Sequence, residues 1–70
     1  MNTELKLKSL MSDLEFAKNT VKVMATEVVE YEKLADQNEE VLALKNRMFD
    51  EALDRVAMLR RELKELELYL

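Results

Sequence analysis

The midpoint of the chain reads Leu34-Ala35-Asp36-Gln37-Asn38-Glu39-Glu40-Val41, and this polar stretch decides between two helical folds. Asp36 and Glu39 have the spacing of a capping box, in which a short polar side chain and a later glutamate bond the first turn of a helix. Asn38 followed by two glutamates is an alternative helix start, because Asn is a favoured N-cap and acidic residues suit the first turn. Both patterns predict that a new helix begins here.

An apolar repeat runs through both arms of the chain. Every residue whose number is a multiple of seven, from Leu7 to Leu70, is apolar, and most residues three places later are apolar or aromatic. We assign these two sets to heptad positions a and d, with the other letters following in order. A sustained 3,4 alternation is typical of helices that pack side by side. The predicted core of an oligomer comprises Leu7, Leu10, Leu14, Val21, Met24, Val28, Leu42, Phe49, Val56, Leu59, Leu63 and Leu66.

Two architectures are compatible with this repeat. In one, the chain is a single continuous long helix in a parallel coiled coil, with Asn38 as a polar layer that sets the register. In the other, the chain turns at about residues 35–39, helix 1 spans about 4–34 and helix 2 spans about 39–69. Two such antiparallel hairpins then dimerise into a four-helix bundle. The unbroken heptad phase favours the continuous helix.

Two other features favour the hairpin. Lys45 falls at position d, where a charged side chain suits a two-stranded coiled coil poorly. The flanking positions e and g carry further apolar residues, which are Leu34, Val41, Met48 and Leu53. A stripe widened in this way contacts two neighbouring helices, as in a bundle. We therefore predict an all-α hairpin that dimerises into a four-helix bundle, as one domain over 1–70, with the continuous coiled coil as the alternative.

The composition restricts the chemistry that the chain can perform. It contains no Gly, Pro, Cys, His or Trp. Without His and Cys it lacks the usual general bases, thiol nucleophiles and soft metal ligands, so we expect no enzymatic activity, no catalytic residues, no metal and no cofactor. A chain of 70 residues also supplies little core by itself. We therefore expect a homodimer or a higher oligomer.

Charge and hydropathy restrict the partners. Asp and Glu number 15 against 11 Lys and Arg, and this acidic balance disfavours nucleic acid as a partner, because phosphate binding needs concentrated positive charge. Charged residues interrupt the apolar ones, so we expect no membrane span. The first residues, Met1-Asn2-Thr3-Glu4, do not resemble a signal peptide, and the expected location is the cytoplasm.

Two groups of residues outside the a and d stripe are candidate binding surfaces. An apolar set recurs at seven-residue intervals on what we take to be the side opposite the stripe, and it comprises Phe16, Val23, Leu44 and Met58. Packing of two helices requires nothing apolar there, so this set is the candidate partner face. A candidate basic patch on helix 2 comprises Arg55, Arg60, Arg61 and Lys64.

In its length, its two heptad-bearing halves and its polar turn, the chain resembles the Rop family of plasmid RNA-regulatory proteins. The resemblance implies a small RNA- or DNA-binding regulator, although it extends to pattern alone and includes no matched binding motif. The residues themselves favour a different class. We predict a non-enzymatic oligomeric helical interaction protein, such as an adaptor, scaffold or small inhibitor, that binds another protein through helical faces.

Overall fold

The computed structural model describes residues 2–69 and confirms the predicted all-α hairpin. Helix α1 spans Thr3–Glu32 and helix α2 spans Glu39–Glu67. The two helices pack against each other, and their long, narrow hairpin measures 52 × 15 × 14 Å. The alternative of one continuous helix is therefore wrong. Leu70, the last residue of the apolar repeat, lies outside the described residues.

Both helices begin at an asparagine. The Asn2 side chain accepts a hydrogen bond of 2.9 Å from the backbone N–H of Glu4. The Asn38 side chain accepts bonds from the backbone N–H groups of Glu40 and Val41, at 2.9 and 3.2 Å. Of the two helix starts that the sequence allowed at the midpoint, Asn38 is the one used. Its side chain satisfies donors of the first turn that have no partner within the helix.

The turn over residues 33–38 is closed by bonds from α1. The Tyr31 hydroxyl accepts a hydrogen bond of 2.7 Å from the backbone N–H of Asn38 and lies 3.4 Å from the carbonyl oxygen of the same residue. The Gln37 side-chain amide donates to the backbone carbonyl of Glu32, the last residue of α1. The end of α1 and the start of α2 are thus bonded directly to each other, which sets the height at which the two helices pack.

The seam between the helices is built from positions a and d. The buried residues are Leu10, Ala17, Val28, Val56 and Leu59, and all five occupy these two positions. The other residues of the predicted core, which are half-buried, are Leu7, Leu14, Val21, Met24, Leu42, Phe49, Leu63 and Leu66. The apolar stripe is thus covered in part by packing between the two helices of one chain. Its role as the core of an oligomer stays a prediction.

Lys45 shows how the seam accepts a charged residue at position d. Its ammonium nitrogen lies 3.9 Å from a carboxylate oxygen of Glu27 on the other helix. The same nitrogen lies 5.7 Å from the centroid of the Tyr31 ring, within reach of a cation–π interaction. The aliphatic stem is half-buried while the charged end reaches the edge of the seam, as long lysine side chains allow.

The cap at Asn38 leads to a stability prediction. We expect the Asn38→Ala variant to lose about 1 kcal/mol of unfolding free energy, because the two capped N–H groups lose their acceptor. The same substitution at Asn46, an exposed residue inside α2, should raise helix propensity and leave stability equal or slightly higher. Urea denaturation followed by circular dichroism measures both. Equal stability of the two variants would contradict the role of Asn38 as the cap.

Candidate functional site

Shallow clefts along the seam divide the outer side chains into two flanks. Three clefts hold, besides seam residues, only residues at positions c and g. These outer residues are Lys6, Glu62, Glu65 and Tyr69 near the chain ends, Phe16, Thr20 and Arg55 in the middle, and Glu27, Glu30 and Leu34 near the turn. A cleft on the other side has its outer residues at positions b and e. We call the two sides the c/g flank and the b/e flank.

The c/g flank carries most of the large apolar side chains that stay exposed in the described residues. They are Phe16, Val23, Leu34, Val41, Leu44, Met48, Met58 and Tyr69. Phe16 is 75 % exposed, although burying a side chain of this size is worth about 1.5–3 kcal/mol. These side chains come from both helices and extend along the length of the hairpin. An exposed apolar surface of this kind is typical of a protein–protein contact.

The predicted partner face lies on this flank and not opposite the seam. Phe16, Val23, Leu44 and Met58 occupy position c, which is about 100° round the helix from position d. Phe16 accordingly shares a cleft with Ala17 and Ala52 of the seam. The set therefore borders the seam and continues into it.

Sequence reasoning missed that other residues belong to the same surface. Leu34, Val41 and Met48 were interpreted only as a widening of the stripe, yet they occupy position g, next to position c on the same flank. In an antiparallel pair the g side of one helix lies beside the g side of the other. That geometry joins the c and g residues of both helices into one surface, and heptad letters combined with the hairpin turn predict it.

The b/e flank carries positive charge around an apolar cleft. Lys18, Lys22 and Arg60 line this cleft together with Val21 and Val56 of the seam and the exposed Leu53. Lys18 also forms an exposed ion pair of 3.7 Å with Glu15. A pair this exposed contributes little to stability. The three cations therefore remain accessible to an anionic ligand.

The predicted basic patch is distributed over the surface. Arg55 lines a cleft of the c/g flank, whereas Arg60 lines the cleft of the b/e flank. Lys64 occupies position b, on the side of Arg60, and Arg61 occupies position f, on the outer side of α2 away from the seam. The structure brings Arg60 together with Lys18 and Lys22 of α1, a grouping that the sequence of α2 alone did not indicate.

Among residues 2–69, no three acidic, histidine or cysteine side chains are grouped where they would hold a metal ion. In the same part of the chain, neither helix is apolar enough over a sufficient length to cross a membrane. The chain was also compared with known proteins, and no protein-family model, curated protein or solved structure matches it.

Proposed function

We propose that this chain is a non-enzymatic helical interaction protein that self-associates and binds another protein, as an adaptor, scaffold or small inhibitor does. The observation that carries the proposal is the c/g flank, where eight large apolar side chains are exposed on one surface of the hairpin. The clefts of the two flanks are open to solvent, and none of them encloses a small substrate. Binding to another protein would then rest on the surface of the hairpin. Burial of the apolar side chains supplies the affinity for the partner, and the surrounding charges supply the selectivity.

The total surface supports association. The hairpin exposes 5713 Å², whereas a compact globular protein of its 8.3 kDa mass exposes roughly 4,600 Å² by the usual scaling. The difference, about 1,100 Å², exceeds the 800 Å² or so that each partner loses in a dimer of standard size. The surface that the two helices leave exposed is thus large enough for one further interface.

Sedimentation equilibrium tests the self-association. At micromolar concentration we expect the intact chain to sediment as a dimer or larger, with at least twice the 8.3 kDa mass of the monomer. The physical reason is that association removes the exposed apolar side chains of the c/g flank from water, which is favourable. A stable, fully helical monomer at this concentration would contradict self-association.

The b/e flank favours a second candidate function, a small RNA- or DNA-binding regulator. Lys18, Lys22 and Arg60 converge on one cleft, and lysine and arginine side chains are the groups that contact phosphates. Filter binding of a duplex RNA at low salt tests this function. Affinity that falls steeply with salt and is lost in Lys22→Gln/Arg60→Gln would support it. No retention even at low salt would exclude it.

A further inference from the structure

We infer that the occupant of the c/g flank is a second copy of this chain, docked with both turns at the same end, so that α1 of each copy lies over α2 of the other. This inference rests on the proposed self-association and specifies its surface and direction. The two copies are related by a two-fold axis parallel to the long dimension of the hairpin, which makes the contact self-complementary. The assembly is a four-helix bundle in which neighbouring helices are antiparallel.

The apolar residues of the two helices match in height under this rotation. Phe16 shares a cleft with Arg55, and Met58 lies three residues further along α2, which is about 4.5 Å. Because the rotation preserves height, Phe16 of one copy lies over Met58 of the other. Val23 and Met48 also have similar heights. The reference is the ion pair of 3.9 Å between Glu27 and Lys45: Val23 lies four residues before Glu27 on α1, and Met48 lies three residues after Lys45 on α2.

The charges of the c/g flank follow the same rule. Lys6 lines a cleft with Glu62 and Glu65, and Lys45 lies beside Glu27. In this dimer, α1 of the second copy lies over α2 of the first copy at the same height and in the same direction as the first copy's own α1. Each cation that lies near a carboxylate within one chain therefore also faces that carboxylate on the other copy. Opposite charges therefore meet at both ends of the contact, with the apolar residues between them.

The opposed arrangement, with turns at opposite ends, loses this match. It places α2 over α2 of the other copy with the heights reversed about the middle of the hairpin. Glu62 and Glu65 would then lie over Leu44 and Val41 of the other copy, and Phe16 of one copy would no longer lie over Met58 of the other. The arrangement with turns together is the one that keeps Phe16 over Met58 and places Lys6 of one copy opposite Glu62 and Glu65 of the other.

Distance measurement on a spin-labelled protein tests the direction. The chain contains no cysteine, so a nitroxide attached at Glu67→Cys or, in a second sample, at Asp36→Cys labels one site per chain. With the turns together, both label pairs should lie within about 30 Å, the width of two hairpins of 15 Å each. In the opposed arrangement the labels at Glu67→Cys would be separated by roughly the 52 Å length of the hairpin. A dimer with that long distance would overturn the inferred direction.

Paired substitutions test the surface. Phe16→Gln/Met58→Gln should raise the Kd of the dimer at least about 100-fold while helicity is retained, because each two-fold contact loses both apolar partners. Met11→Gln/Leu53→Gln, which changes two exposed apolar residues at position e, is the matched control and should leave the Kd within about threefold. The reverse result, with the control dissociating and the Phe16/Met58 variant intact, would overturn the c/g flank as the contact. In contrast, a wild-type monomer would refute self-association itself.

Discussion

The Leu59→Asp variant should lose most of its helical circular dichroism at room temperature. Leu59 is 5 % exposed and packs in the core cluster with Leu10, Ala17 and Val56. An aspartate at this position removes one of the most buried apolar side chains and places a carboxylate among the apolar residues between the helices. We expect a loss of about 3–5 kcal/mol, from lost apolar burial and from the unpaired charge. A loss of this size is comparable to the roughly 3–5 kcal/mol that a single hydrophobic core supplies in a chain this short.

Leu5→Asp is the matched control for this variant. Leu5 is 64 % exposed at position f of α1, so the same substitution there removes little buried surface. It also lies near the start of α1, where a negative charge interacts favourably with the helix dipole. Thermal melting by circular dichroism should therefore show a change within about 0.5 kcal/mol for Leu5→Asp. Similar melting of Leu59→Asp and Leu5→Asp would contradict the assignment of Leu59 to the seam.

The second large effect is expected from making a buried residue larger. Ala17 is 3 % exposed, the lowest exposure in the core, and it shares a cleft with Ala52 of the other helix. Two small residues facing each other let the helices approach closely. Leucine at position 17 has no space in that contact, so it should separate the helices or distort their side chains. We expect Ala17→Leu to destabilise the hairpin by about 1–3 kcal/mol.

Ala57→Leu provides the control for this overpacking. Ala57 lies on the exposed side of α2, where a leucine extends into solvent and helix propensity changes only slightly. Urea denaturation should place Ala57→Leu within about 0.5 kcal/mol of the parent protein. An Ala17→Leu variant that is equal to or more stable than Ala57→Leu would mean that the helices leave unfilled space at this height.

Some features of the hairpin follow from local sequence. The seam residues at positions a and d are those that the heptad repeat predicts, because the helical period alone decides which side chains share one face. A helix start at Asp36 or Asn38 also follows, since an N-cap bonds only the next few backbone N–H groups. The choice between Asp36 and Asn38 as the cap was left open by the sequence, because both residue types are competent. In the structure the cap is Asn38, whose backbone is also hydrogen-bonded to the Tyr31 hydroxyl.

The surfaces depended on the tertiary structure. Lys45 looked unfavourable for a core position, and only the packing of α1 against α2 supplies Glu27 and Tyr31 as its neighbours. The c/g flank and the cationic cleft of the b/e flank each combine residues from both helices, more than twenty positions apart in the chain. A periodic sequence determines the face of a helix on which a residue lies. The residue that comes beside it from the other helix is determined by the direction and height of packing, and in this protein the turn sets both.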